Sequence, residues 1–168
     1  MKALRLLLAV LCLSAPLLTA QVAPEPTYYK LDFIVKELDA GKPISSRSYS
    51  SILSTSGRDL PGNRSSIRTG NRVPIPSGER GFQYMDVGVN IDFGPMREIA
   101  ADRIALELAV DISSNVASET PGMPPIVRQN KWQSHVMVPL RKATIVFTSD
   151  DPSTKRQLQI ELIATPLK

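Results

Sequence analysis

Apolar and polar residues alternate along most of this chain, which favours the two-residue period of strands over the 3.6-residue period of helices. In YYKLDFIVKEL, Tyr29, Leu31, Phe33 and Val35 share one parity, with Lys30, Asp32 and Ile34 between them. A turn at Ala40-Gly41-Lys42-Pro43 leads into SSRSYSSILSTS, where Tyr49 and Leu53 fall on one side among Ser and Thr. Such a segment forms strands readily and helices poorly. Residues 56–81 are rich in Gly, Pro, Ser and Arg, with a short strand, SIRTGNRVPI, in their middle. PIPSGERG, residues 74–81, reads as a loop or an open hairpin tip.

The clearest alternation follows. In FQYMDVGVNIDF, Met85, Val87, Val89, Ile91 and Phe93 point one way, and Asp86, Gly88, Asn90 and Asp92 the other. In RIALELAVDIS, Ile104, Leu106, Leu108, Val110 and Ile112 form one face against Ala105, Glu107, Ala109 and Asp111. Helix competes over 97–110, because Glu, Ala and Leu are good helix formers. Five apolar residues in strict alternation decide for a strand. Gly94-Pro95-Met96-Arg97-Glu98 reads as the break between the two strands, with Pro95 ending the first. After a loop at 117–125, IVRQNKWQSHVMVPL gives a long strand with Trp132, Ser134, Val136 and Val138 on one parity. ATIVFTS is a short strand before the Asp150-Asp151-Pro152-Ser153 turn, and RQLQIELIATPL closes with Leu158, Ile160 and Leu162 inside. The prediction is all-β: one antiparallel β-sandwich or open barrel of about eight strands over residues 28–168.

The N-terminus follows a different pattern. Lys2 and Arg5 precede an apolar run from Leu6 to Leu13, Pro16 interrupts it, and Ala20 is a small residue at its end. These are the parts of a secretory signal peptide over 1–20, against the rival reading of an uncleaved anchor. Cys12, the sole cysteine, sits inside the apolar run and leaves with the signal. Gln21 to Thr27 is a Pro-spaced flexible leader. The 148 residues that remain of 168 are enough for one domain with a genuine core.

Composition narrows the functions. At 42% hydrophobic and 21% charged, with 9 Gly, the chain is neither disordered nor collagenous. Of 20 Lys and Arg, two leave with the signal, so 18 face 16 Asp and Glu and the mature net charge is +2. That balance, with export, disfavours nucleic acid. No run past the N-terminus is long enough for a transmembrane helix, and without cysteine the domain must rest on burial and backbone pairing.

Candidate chemistry is sparse. His135, the one histidine, lies on the parity opposite Trp132, with no G-x-S-x-G segment and no second His for a metal. Asp86 with Asp92, and Glu107 with Asp111, pair on polar strand faces, but aromatics for sugar stacking are only 5% of the chain. Asp150-Asp151 lacks the spaced acids of a calcium loop. Asn63-Arg64-Ser65 matches a glycosylation sequon, a short pattern that arises often by chance. Arg64, Arg68 and Arg72 share one parity, with Arg58 and Arg80 nearby, and form either a basic stripe for an anionic polymer or a solubilising face. No catalytic residue, cofactor or metal is assigned. The candidate interaction surface is Arg64, Arg68, Arg72, Asp86 and Asp92.

From about Ser66 onward the order of motifs resembles the C-terminal β-domain of bacterial secretins, the outer-membrane pore proteins of secretion and pilus systems. SIRTGNRVPI, FQYMDVGVNIDFGP, ALELAVDISSNV, PIVRQNKWQSHVMVPL and IELIATPL carry the likeness. FQYMDVGVNIDFGP is the best match: an aromatic, then Asp-Val-Gly-Val, then an alternating strand ending in Pro. Two features depart from the family. Its ATIVF-like strand continues into Gly-Gly-Leu and a long membrane-lining hairpin, whereas Thr148 to Arg156 here is a polar turn. Its upstream ring-forming domains have no counterpart in residues 21–65. The resemblance implies a single-module relative of the secretin sheet. The expected function is that of an exported, non-enzymatic envelope protein, periplasmic, outer-membrane associated or extracellular. It would act in assembly, through strand edges, on itself or on an envelope partner. A binder of anionic envelope polymer or glycan is the alternative, and a hydrolase ranks third.

Overall fold

A computed structural model describes residues 25–55, 63–77, 81–116, 126–151 and 154–167. The signal peptide, the first part of the leader and the 117–125 loop lie outside these residues. Eight strands follow one another: β1 (Tyr28–Asp39), β2 (Lys42–Ser54), β3 (Ser65–Ser77), β4 (Gly81–Ala100), β5 (Arg103–Val116), β6 (Ile126–Pro139), β7 (Thr144–Asp150) and β8 (Arg156–Pro166). They form two four-stranded sheets, ordered β2-β1-β8-β7 and β3-β4-β5-β6. Every strand pairing is antiparallel. The fold is a sandwich and not a closed barrel.

The connectivity explains how the two sheets are held face to face. The β3–β6 meander is inserted between the β1–β2 and β7–β8 hairpins, and β1 pairs with β8 along its full length, from Tyr29 opposite Pro166 to Asp39 opposite Arg156. The return crossing is pinned by two backbone bonds: the Leu140 N–H donates to the Asp102 carbonyl, and the Arg141 N–H to that of Ala164, both at 2.8 Å.

The alternation places the core. Leu31, Phe33, Ile160 and Leu162 of the first sheet, and Ile91, Ile104 and Leu108 of the second, are fully buried. Phe33 meets Phe93 across the interior, with ring centroids 5.1 Å apart and planes tilted by 49°. At the flank Trp132 of β6 meets Phe147 of β7 at 5.3 Å. Burying each large side chain contributes about 1.5–3 kcal/mol. The helix-forming residues of 97–110 are strand because their apolar positions continue the pleat.

Three sequence expectations change. First, Gly94-Pro95-Met96-Arg97-Glu98 does not separate two strands. Residues 81–100 form one strand, and its register against β5 shifts between Phe93 and Met96. A β-bulge absorbs Pro95, whose preceding peptide bond is cis, and the turn comes at 101–102. The shift keeps Met96 buried opposite Leu106. Second, of the loop or open hairpin tip expected over 74–81, residues 74–77 belong to the paired part of the hairpin: β3 runs through Ser77, opposite Gly81 of β4. Third, Met85 sits on the core parity but is 41% exposed, because this end of the β3–β4 hairpin has no facing strand to cover it.

The split of the second sheet produces that overhang. β4 pairs with β5 from Ala100 back to Val89 opposite Ile112, and no further. The two hairpins then part, and the freed Gly88 N–H is taken by the buried Ser113 hydroxyl oxygen at 3.0 Å. Gly88 faces Gly70 in the register of β3 and β4. A Cβ on Gly88 would lie 2.1 Å from the Thr69 carbonyl oxygen, so only glycine allows this approach.

Tyr29 ties the sheets at the other end. Its hydroxyl donates to Glu98 Oε1 at 2.7 Å, from β1 to β4. Burial first, then the hydrogen bond and the charge of Glu98, push its phenol from 10.0 up to about 12. The folded state therefore holds a proton that the unfolded chain loses. This contribution is complete below about pH 10 and disappears as pH rises towards about 12. Urea midpoints across that window should fall faster for wild type than for Tyr29→Phe; identical slopes would show that the bond is not linked to stability.

The second expectation tests the two faces. Leu108→Ala should cost about 2–5 kcal/mol in denaturant unfolding followed by Trp132 fluorescence. Asp92→Ala, on the outer face, should change stability by no more than about 1 kcal/mol. The reverse order of effects would mean that inside and outside are exchanged.

Candidate functional site

The predicted interaction residues do come together, on the outer face of β3, β4 and β5. The positions that alternate with Val87, Val89 and Ile91 carry Asp86, Asn90 and Asp92, and the outward positions of β3 carry Arg68 and Arg72. Register sets their pairing: Arg72 stands directly opposite Asp86, and Arg68 opposite Asn90, one step diagonal from Asp92. Arg72 Nε donates to Asp86 Oδ1 at 2.9 Å, and Arg68 Nη2 to Asp92 Oδ1 at 2.5 Å. Arg68 also donates to the carbonyl oxygens of Ile67 and Ile91. Arg64, one residue before β3, donates to Glu107 Oε2 of β5 at 2.9 Å.

The network continues onto β6. Glu107 accepts from Gln133 at 3.0 Å, and Asp111 from Gln129 at 2.9 Å, with Lys131 Nζ 3.4 Å from Asp111. Arg64, Arg68, Arg72 and Lys131 are thus matched by Asp86, Asp92, Glu107 and Asp111. The stripe that the sequence offered as basic is a neutral ladder of cross-strand ion pairs. Arg58 and Arg80 lie outside the described residues. Exposed pairs of this kind contribute little stability, about 0–1 kcal/mol each.

The remaining candidates are dispersed. His135 is exposed on the outer face opposite Glu107, and its imidazole makes no hydrogen bond among the described residues. Asp151 accepts from Arg128 at 3.1 Å and Asp150 from Gln157 at 3.0 Å, so both turn carboxylates are engaged. The Asn63 amide donates to the Ser54 hydroxyl at 2.8 Å. Among the described residues, no three His, Cys, Asp or Glu side chains cluster as a metal site.

On the first sheet's outer face, Asp32 lies between Lys30, 2.9 Å away, and the Ser50 hydroxyl that donates to it. Burial opposes its ionisation, but the Ser50 and Lys30 hydrogen bonds and the Lys30 charge outweigh it and hold the carboxyl below its usual range.

A groove absent from the sequence reading opens where the second sheet splits. Val35, Val89, Ile112 and Leu158 line it, and Arg47, Arg128 and Arg156 stand around it. Its volume is about 370 Å³. The signal for Arg47 was present: it shares the parity of Tyr49 and Leu53, so alternation turns it inward. Arg128 and Arg156 were not findable, because their neighbours across the sheets come from distant segments.

With sheets, split and ladder defined, solved structures supply the comparison. Secretins match over nearly the whole chain. The E. coli type II secretion system secretin GspD aligns over 99% of this chain, with 11% identity and a TM-score of 0.57. The Salmonella type III injectisome secretin InvG aligns over 99%, with 9% identity and a TM-score of 0.58. Klebsiella pneumoniae PulD, in an outer-membrane complex with PulS and the PulC HR domain, aligns over 100%, with 12% identity and a TM-score of 0.52.

The chain has the fold of the secretin β-domain.

It spans 54% of the GspD chain, 69% of InvG and 43% of PulD. No protein-family model matches the sequence. No curated protein matches it either. At 9–12% identity the likeness is one of fold. Residues 151–155 join β7 to β8. Among the described residues no helix is long and apolar enough to cross a membrane.

The ladder generates one expectation. A double-mutant cycle on Arg72 and Asp86 should give a coupling of about 0.2–1 kcal/mol that shrinks as salt is raised. A coupling insensitive to salt would show that the pair is shielded by something seated on this face.

Proposed function

We propose that the chain is an exported β module of the bacterial envelope, periplasmic or outer-membrane associated, that acts by protein assembly and not by catalysis. The observation that carries this reading is the secretin sandwich fold with an uncovered strand edge. β2 ends the first sheet, runs for 13 residues and has one proline, Pro43, near its start. Its outward positions include Ile44 and Ile52, 50% and 58% exposed. A long edge with exposed apolar side chains can add a partner strand by main-chain pairing. The partner is a second copy or another envelope protein. The Klebsiella secretin, which shares the fold, is held in a complex with other proteins. Export rests on the signal peptide read in residues 1–20.

Two observations support a role without catalysis. The carboxylates a glycosidase would need are salt-bridged on an open sheet face, and His135 has no hydrogen-bonded partner among the described residues. The polymer-binding alternative loses its basis, since each arginine of the stripe has an acid of its own. Light scattering and capture from envelope extract test the reading. Ile44→Lys with Ile52→Lys should abolish association while leaving the melting point near wild type. Association that survives this double change would move the interface away from β2.

A further inference from the structure

The groove at the split end of the sandwich has a mixed lining that its structural role does not require. It forms because β4 leaves β5 after Val89 while the first sheet continues past it. Its floor is apolar, from Val35 and Leu158 on one sheet and Val89 and Ile112 on the other. Around this floor stand three guanidinium groups from three strands. Two are neutralised locally: Arg156 donates to Glu37 at 3.0 Å, and Arg128 to Asp151 at 3.1 Å. Arg47, directly opposite Val35 in the sheet register, makes no hydrogen bond or ion pair among the described residues.

The other inward positions of β2, Ser45, Tyr49, Ser51 and Leu53, are all uncharged. A charge there breaks the local pattern, and such breaks concentrate at functional sites. Among the described residues, the one unmatched charge beside the groove is positive. The groove therefore complements a single negative charge joined to an apolar body. A guanidinium pairs with a carboxylate through two parallel N–H···O bonds, a geometry the ammonium of lysine does not reproduce. Ser45 and Ser149, which also line the groove, add hydroxyl donors. A volume of about 370 Å³ lies at the small end of the range for ligand pockets.

We propose that this groove binds a carboxylate carried on a short apolar chain, with Arg47 holding the carboxylate and Val35, Val89, Ile112 and Leu158 receiving the chain. Two sources share this chemistry, a medium-chain fatty acid and the free C-terminus of a peptide ending in an aliphatic residue. The site is distinct from the β2 outer edge, so its failure would leave the assembly reading intact.

The test is calorimetric titration of the purified chain with decanoate, decanol, acetate, and a tripeptide ending in leucine as free acid and as amide. Decanoate or the free-acid peptide should bind, whichever is the true source. Its neutral counterpart should bind roughly tenfold more weakly, the value of one charge-assisted hydrogen bond. Acetate should not compete. Arg47→Ala should remove the preference for the acid, and Arg47→Lys should restore only part of it. Because Arg47 is exposed and unpaired, the melting point of Arg47→Ala should match wild type, which separates lost binding from lost folding. The proposal falls if neither acid binds, or if acid and neutral forms bind alike. It also falls if Arg47→Ala leaves binding unchanged and instead raises self-association, since the arginine would then guard the β2 edge.

Discussion

The contact between Phe33 and Phe93 joins the two sheets, and the rest of the structure depends on it. Phe33 is on β1, which pairs with both β2 and β8; Phe93 is on β4, which pairs with both β3 and β5. Each ring sits on the strand to which two neighbours are attached. Bringing the pair together brings together two alternating faces whose inward residues could not otherwise be buried. Backbone hydrogen bonds give each sheet its shape but no reason to meet the other. The apolar layer gives that reason, and it fixes register, because a slip of one residue would turn every core side chain to solvent.

The same requirement accounts for the bulge and the split. β4 must serve two neighbours over 20 residues. At one end the chain passes Gly94-Pro95, and only an extra residue in the strand brings Met96 back into the core. At the other end β4 parts from β5 after Val89, although Val87 just beyond is still buried. Ser113 takes the orphaned N–H of Gly88 there, which makes the departure affordable in a buried setting. The groove and the overhanging β3–β4 hairpin are both consequences of that one branch point.

Much of this was legible in the sequence. Five apolar residues in alternation over 104–112 outweighed good helix formers, because the period is set by what must be buried. The parity of Val87, Val89 and Ile91 gave the core face. Alternation reports which face a residue takes and not whether another strand lies over that face, which is why Met85 is exposed. Proline at 95 resembles a strand end, since a bulge and a break leave the same local signature. The ion pairs were hidden for a different reason. Arg68 and Arg72 read as a stripe when β3 is taken alone, and the acids of β4 and β5 became their partners only through a register that no local pattern encodes. Secretin-like motif order was readable from Ser66, while β1 and β2, which complete the first sheet, carried no recognisable motif.

The distribution of charge then separates two kinds of surface. Across the outer face of the second sheet every cation in the ladder has an acid within hydrogen-bonding reach, so the face has little field to offer a ligand and much to lose by a slip in register. Its ion pairs act as a check on pairing and supply little affinity or stability. Arg47 is placed differently. Glu37 of β1, one register step away, is bonded to Arg156 and not to it, and the strand of Arg47 is an edge, where an inward charge disfavours strand addition and an outward apolar residue favours it. β2 carries both, with Arg47 turned in and Ile44 and Ile52 turned out. A strand so built combines one feature that disfavours strand addition with two that favour it.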